Sequence, residues 1–422
     1  MTSEYTVQGH PISALAERFG TPLYVYDGDV LRDVYLSLRE RLDPRVDVLY
    51  SAKANPNVSV CAVLRSLGAG IEVSSLVELL TAQKAGAAPE DVIFLGPGKS
   101  VEELRACVDL GVHAIVAESL DELELLNDLR VPGGVRVMLR VNPSFESKGA
   151  RLAMGGKPRQ FGIDQDVLLR SRSFLRSLRH VEVIGVHGYM GTRILEAEGV
   201  VHNTRGILAA AEELSAELGF ELRTVDVGGG LGVPYFDNEK DLDVDLLATG
   251  VNAAVADFLD RRPGCRVITE LGRYLVGWCG TYVVRARYVK ESMGEWFVVA
   301  DGGTNHHMAA VGIGSFVKRN FPVRSLTRYT EPALRPYNIT GPLCTPNDVV
   351  AKQVALPEVR PGDLLGVERS GAYGPTASPG LFLSHGFPAE VLVLDGTAHL
   401  VRRRDTVDDL LGKQELIFPQ KS

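Results

Sequence analysis

Eight short apolar, β-branched runs recur between residues 46 and 270, each followed by a small or polar residue and then by a stretch of helical periodicity. They lie at 46–52, 70–74, 92–95, 114–118, 135–141, 183–189, 224–228 and 267–270. This is the rhythm of repeated βα units. Several intervening helices start after Ser or Asn and end at Gly, as N-caps and residues just past a helix end do. Ser100 with Glu103, and Ser119 with Glu122, have the spacing of capping boxes. Eight strands with helices between them point to an α/β fold built on a (β/α)8 TIM barrel rather than an open sheet.

After Gly272 the texture changes to strand-like runs separated by Gly and Pro, among them residues 281–289 and 389–394. The opening stretch 21–27 also reads as a strand that pairs with this later part. The expected organisation is a barrel over 28–271, with 1–27 and 272–422 forming a β-rich, β-barrel-like C-terminal domain. The longest irregular stretch, 142–164, falls between strands five and six, on the barrel face where active sites form.

Composition narrows the class. With 422 residues, 45% hydrophobic and 23% charged, the chain has the material for a substantial core and is too regular for disorder. A net charge of −8 argues against non-specific nucleic-acid binding, which needs a basic footprint. Five cysteines without a C-x-x-C pair suggest neither a disulfide framework nor a zinc site. No basic segment leads into an apolar stretch at the start, and no run of about 18 apolar residues occurs. The expectation is a cytoplasmic protein without a membrane span and without a metal.

Barrel enzymes carry their reacting groups at the carboxyl ends of the strands. Here those ends hold Lys53 after strand one, Glu72 and Ser74 on strand two, and Arg140 on strand five. Strand six offers His187 and Tyr189, strand seven Gly228, Gly229 and Gly230, and strand eight Glu270 with Gly272 and Arg273. Lys53 by itself reads equally well as a neutral amine that forms a Schiff base or as a rim lysine that reaches solvent. Three successive glycines let backbone N–H groups approach a phosphate, or simply make a tight turn. Glu270 either bonds a pyridine nitrogen or pairs with an arginine. A lysine, a glycine-rich cradle and a carboxylate at one barrel mouth are together what pyridoxal phosphate requires.

At these residues the sequence resembles the fold-type III pyridoxal phosphate enzymes, on the ornithine and diaminopimelate decarboxylase side. The resemblance rests on YSAKAN around Lys53, DVGGGLG at 226–232, ELGRYLV at 270–276, GPLCTPND at 341–348 and SGAYG at 370–374, and it spans nearly the whole chain. It implies a barrel of the alanine racemase N-terminal type, pyridoxal 5'-phosphate on Lys53, and Glu270 paired with the pyridinium nitrogen. Gly229, Gly230, Gly272, Arg273, Thr192 and Tyr373 would surround the phosphate, and Glu72 and Arg140 would form a pair beneath the cofactor. It further implies a homodimer in which Cys344 comes from the other subunit and supplies a proton after carbon dioxide leaves.

Two departures bear on the substrate. Tyr189 stands where those decarboxylases stack a histidine on the cofactor ring, a role tyrosine can take; His187, two residues earlier, reads as a packed histidine behind it. Thr345 follows Cys344 where the basic-amino-acid decarboxylases carry an acid that holds a distal ammonium, which disfavours a free diamino acid because a buried ammonium needs a counter-charge. Asp348 is a nearby substitute for that acid. The segments 154–164, 301–308 and 319–322 resemble a natural-product subgroup that decarboxylates acidic aminoacyl groups held on an acyl carrier protein.

The alternatives are a free diaminopimelate, ornithine or lysine decarboxylase, a racemase on the same scaffold, and a non-catalytic cofactor carrier. His306 and His307 follow a strand and either face the substrate or lie at the dimer interface. Arg319 is a further substrate-side candidate. Arg151, Lys157, Arg159, Lys318, Arg319, Arg324 and Arg328 form two basic segments suited to steering an acidic carrier protein, or to ordinary solvation.

Overall fold

In a computed structural model of the chain, residues 4–146, 148–149, 152–153, 158, 160–311 and 319–418 are described. They divide into two compact units, one of residues 31–276 and one that joins the residues up to Val30 with those from Gly277 onward.

The first unit is built on eight strands: β1 (Val46–Ser51), β2 (Gly70–Val73), β3 (Val92–Phe94), β4 (Ala114–Ala117), β5 (Val135–Asn142), β6 (Val181–His187), β7 (Thr224–Gly229) and β8 (Arg266–Leu271). Each pairs in parallel with the next, and β8 returns to β1 with Glu270 opposite Leu49, which closes the sheet into a barrel. The apolar runs form strands because helices cover the outer face while Leu49, Ile93, Val116, Met138, Ile184 and Ile268 fill the interior. Burial of such side chains stabilises by roughly 1.5–3 kcal/mol each.

Capping follows the sequence in one place and departs from it in another. Ser100 and Glu103 make the reciprocal capping box at the start of the helix Val101–Leu110, and Gly111 ends that helix at φ 70°. Ser119 caps the helix Leu120–Asp128, but the Glu122 carboxylate does not return to the Ser119 backbone. It accepts instead from the Glu118 N–H at 2.9 Å and from Lys99 at 2.7 Å.

The stretch 142–164 is less irregular than expected. Ile163–Asp164 extends the sheet beside β5, and Leu152–Ala153 pairs antiparallel with Gly191–Thr192.

In the second unit the strand Gly280–Ser292 is the organising element. It pairs antiparallel with Leu23–Asp27, with Glu295–Ala300 and with Leu364–Val367. Leu23–Asp27 pairs in parallel with Ala389–Leu394, so the early strand does join the late ones. The architecture is a TIM barrel with a separate mixed β-sheet domain. No helix among the described residues is long and apolar enough to cross a membrane.

Candidate active site

β1 ends at Ser51, which lies opposite Glu72 of β2, and one 3-10 turn, Ala52–Ala54, then carries Lys53 over that glutamate. The Lys53 Nζ donates to Glu72 Oε2 at 2.8 Å, and Glu72 Oε1 accepts from Ser74 Oγ at 2.9 Å. The Glu72 side chain is fully buried whereas that of Lys53 is 38% exposed. Nζ stands 6.0 Å from the centre of the Tyr189 ring. Lys53 is thus a partly exposed rim lysine whose amine is ion-paired with a buried glutamate.

Three buried ionisable groups form a row on the next strands round: His187 at the end of β6, Asp226 on β7 and Glu270 on β8. His187 and Asp226 are register partners, and a bulge between Asp226 and Gly229 brings Gly229 opposite Glu270. One ligating atom from each lies within 4.8 Å of the others. His187 Nε2 approaches Glu270 Oε1 at 3.3 Å, an ion pair when the ring is protonated. Both ring nitrogens of His187, both oxygens of Glu270 and Oδ2 of Asp226 are buried without a hydrogen-bond donor or acceptor aligned to them. Such unspent capacity in an interior is uncommon and calls for a cause. Burial pushes the Glu270 carboxyl up, but the charges of His187, Lys53 and Arg140 outweigh it and hold the group below the ordinary carboxylate range. Burial, with the facing Glu270, drives Asp226 the other way, well above that range.

The glycines after β7 are required by close backbone packing. A Cβ on Gly229 would lie 1.8 Å from the Glu270 carbonyl oxygen, and one on Gly230 (φ 83°) would lie 2.0 Å from that of Gly191. Gly230 accepts from the Ile194 N–H, which ties the Thr192 loop to the glycine run. No helix starts directly after the glycines; the next one, Val244–Arg261, begins well beyond them. A single helical turn, Arg273–Val276, follows Gly272 instead, and Arg273 donates to Tyr235 Oη at 3.1 Å.

The expected Glu72–Arg140 pair is not formed. Arg140 donates to Glu118 Oε1 at 2.7 Å and lies over the Phe161 ring, whereas Glu72 is bound to Lys53. Glu118, at the end of β4, also accepts from the Gly96 and Gly162 N–H groups. A local acid on the neighbouring strand therefore took the partner that the resemblance had assigned across the barrel.

The remaining candidates belong to the second unit. Cys344 is exposed, the other four cysteines are buried, and Thr345 is half-buried in the same turn. Asp348 does not offer a free carboxylate: Oδ1 accepts from the Thr304 N–H and Oδ2 from the Leu343 N–H, both at 2.8 Å. Tyr373 is half-buried with φ 54°, and Arg319 is exposed.

His306 and His307 are both buried in the unit's interior rather than presented at its surface. His306 Nε2 contacts the Gly386 carbonyl at 2.9 Å and Nδ1 the Tyr282 hydroxyl at 3.3 Å. His307 Nε2 contacts Ser370 Oγ at 2.7 Å. Burial pushes the His306 ring down to about 4 and that of His307 to about 3. In the basic segments Arg324 pairs with Glu368, and Arg328 with Asp363 and Glu331. Arg151, Lys157, Arg159 and Lys318 lie outside the described residues.

The residues present fit pyridoxal phosphate. A primary amine, an aromatic face and a buried carboxylate with unspent acceptors occur together as Lys53, Tyr189 and Glu270, beside backbone loops that only glycine permits. Asp226, Glu118 and Lys99, and the place of His187 against Glu270, were not singled out from sequence. The usable signal was an acid inside an apolar strand, since Asp and Glu are almost never fully buried unless paired.

Residues 29–277 match the family described as pyridoxal-dependent decarboxylase, pyridoxal binding domain. The chain is 38% identical, over 96% of its length and 96% of the relative's, to the L-glutamyl-(BtrI acyl-carrier protein) decarboxylase of Niallia circulans. It is 34% identical to the diaminopimelate decarboxylase of Pseudomonas fluorescens, covering 98% of this chain and 97% of that one. Among solved structures it resembles the diaminopimelate decarboxylase of M. jannaschii in complex with L-lysine, with a TM-score of 0.88, 26% identity and coverage of 98% and 96%.

Proposed function

The chain belongs to the pyridoxal-dependent decarboxylases, and from that premise we propose that it removes the α-carboxylate of an acidic, glutamyl- or aspartyl-type, aminoacyl group tethered to an acyl carrier protein. The observation that carries the choice of substrate is the state of Asp348. It is the single acid in the segment GPLCTPND, and both its oxygens are held by backbone N–H groups. With Thr345 next to Cys344, that segment offers no carboxylate to neutralise the distal ammonium of a free diamino acid. The 38% identity to a decarboxylase of a carrier-bound glutamyl group points the same way.

Pyridoxal phosphate, when bound, supplies the sink for the electron pair that departing carbon dioxide leaves behind. In this reading Lys53 holds the cofactor through Nζ, and Glu72, 2.8 Å away, takes up or returns the proton of that amine. Tyr189 would offer its ring face to the cofactor. Glu270, held anionic by its cationic neighbours, would accept from the ring nitrogen and keep that nitrogen protonated. Gly229, Gly230, Gly272, Arg273 and Thr192 would hold the phosphate end, and Arg140 with Glu118 braces the rim between β4 and β5. Cys344, contributed by the second copy in a homodimer, donates the proton that replaces carbon dioxide.

Product mass after incubation with free glutamate, aspartate, lysine, ornithine and diaminopimelate, and with carrier-bound glutamyl and aspartyl groups, tests the proposal. Loss of carbon dioxide from a carrier-bound acidic group, without turnover of the free diamino acids, is the expected result. Turnover confined to a free diamino acid overturns the tethered substrate and leaves the decarboxylase intact.

A further inference from the structure

The facing carboxyls of Asp226 and Glu270 pose a chemical problem. Both are fully buried, an oxygen of one lies within 4.8 Å of an oxygen of the other, and Asp226 Oδ2 and both Glu270 oxygens have no aligned donor. The Gly228 N–H, at 2.8 Å, serves Asp226 Oδ1 and leaves Oδ2 without a partner. Two ionised carboxylates in an interior of low dielectric repel strongly, and such pairs settle by keeping one proton between them.

The surroundings decide which group keeps it. Facing the pair are His187 from β6, Lys53 from the turn after β1, Arg140 from β5 and Glu72 from β2. The three cationic or basic groups act on Glu270, with His187 3.3 Å from its Oε1. Asp226 has one backbone N–H and, in Glu270 and Glu72, two negative neighbours.

We propose that Asp226 is a positioning residue that keeps its proton at neutral pH and donates it through Oδ2 to Glu270, so that Glu270 remains the anion of the pair with its other acceptor capacity held for the cofactor. This rests on reading Glu270 as the acceptor for the ring nitrogen. The pair then carries one negative charge in place of two, and Glu270 is oriented by a donor from β7 rather than by packing alone. Asp226 touches neither cofactor nor substrate in this role; it acts through Glu270.

Infrared difference spectra of the purified holoenzyme in H2O and D2O at about pH 8, far above the ordinary aspartate value near 3.9, test the protonation directly. The wild type is expected to show the C=O band of a protonated carboxyl group, and Asp226→Asn to lack it. Glu270→Gln removes the charged acceptor of that proton and is expected to shift the band to higher frequency. Absence of the band in the wild type, or its persistence in Asp226→Asn, overturns the proposal, as does a band left unmoved by Glu270→Gln.

Thermal melting gives a second readout. An aspartate whose folded value is raised contributes its stability below the unfolded value and loses it as pH climbs toward the folded one. Asp226→Asn retains an acceptor for the Gly228 N–H and a donor for Glu270 without that loss. It should therefore match or exceed the wild-type melting temperature at about pH 8, with the margin growing upward from about pH 4, while Asp226→Leu melts lower throughout. An Asn variant that falls increasingly below wild type as pH rises would reveal an ionised Asp226 and overturn the idea.

Neither readout uses substrate, so failure of the tethered-substrate proposal leaves both untouched. Should Glu270 not be the ring acceptor, Glu270→Gln would leave the visible absorbance of the cofactor unmoved while the infrared result still stands.

Discussion

Among the described residues the barrel contains two lysine–glutamate pairs of nearly equal length, Lys53–Glu72 at 2.8 Å and Lys99–Glu122 at 2.7 Å, whose glutamates are both buried and whose lysines differ sharply in exposure. The Lys99 side chain is 1% exposed and spends its three donors on the Gly96 and Val116 carbonyls and on Glu122. The Lys53 side chain is 38% exposed and stands near an aromatic face, with Glu270 close enough to feel its charge. A lysine whose donors are all consumed by the fold serves the fold. One that is 38% exposed, beside a buried carboxylate and an aromatic face, is placed to meet a ligand. The same contrast separates the row His187, Asp226 and Glu270, with its unspent atoms, from the second unit's Asp348, whose oxygens are bound to backbone N–H groups.

Substitution should pull the two lysines apart. Lys53→Ala is expected to abolish the borohydride-sensitive visible absorbance and to lower decarboxylation by at least about 10³-fold, within the range for positioned proton-transfer groups alone, with little change in melting temperature. A surviving absorbance band would remove Lys53 from the role of anchor.

Lys99→Met should do the reverse. Breaking a buried pair leaves Glu122 uncompensated and costs about 3–5 kcal/mol, read as a lower urea midpoint, while the visible band persists in the folded protein. If Lys99→Met is stable and colourless, the comparison fails.

Asp348→Ala extends the test to the second unit. Two backbone N–H groups lose their acceptor, at about 1–3 kcal/mol each, and Asp348→Asn, which keeps one acceptor oxygen, should lose about half as much. A substitution that left stability intact but switched the preferred substrate would return Asp348 to substrate binding.

The smallest effect concerns His306 and His307. Their rings are held down to about 4 and about 3, so the unfolded chain takes up protons first as pH falls below about 6.5. The stability they contribute is present above that value and drains away toward the folded ones, roughly 2 kcal/mol per ring between pH 6.5 and 5. His307→Phe should flatten that acid limb in melting curves. An unchanged limb would show the ring already protonated in the folded protein.

Much of this was legible in the sequence. The eight apolar runs from 46 to 270 became β1 to β8 with shifts of one or two residues at their ends, because a strand covered by helices declares itself by consecutive β-branched residues. Lys53, Tyr189 and Glu270 were legible because barrel chemistry gathers at strand ends, so position in the repeat implies position in space. Arg140 was misassigned because an ion pair is decided by distance across the sheet, and Glu118 one strand away reached it first. His306 and His307 read as residues that face the substrate or a dimer interface, whereas the ring stack of Tyr24 and Tyr282 packs against them inside the second unit.

The sequence by itself determined the order of strands and the residue types at their ends, since hydrophobic period and caps are properties of neighbours along the chain. Only the tertiary structure decided which charges meet. Asp226 and Glu270 are far apart in sequence and come within 4.8 Å of each other because β7 and β8 are adjacent in the closed barrel. Protonation depends on through-space neighbours and desolvation, and neither exists until the barrel closes.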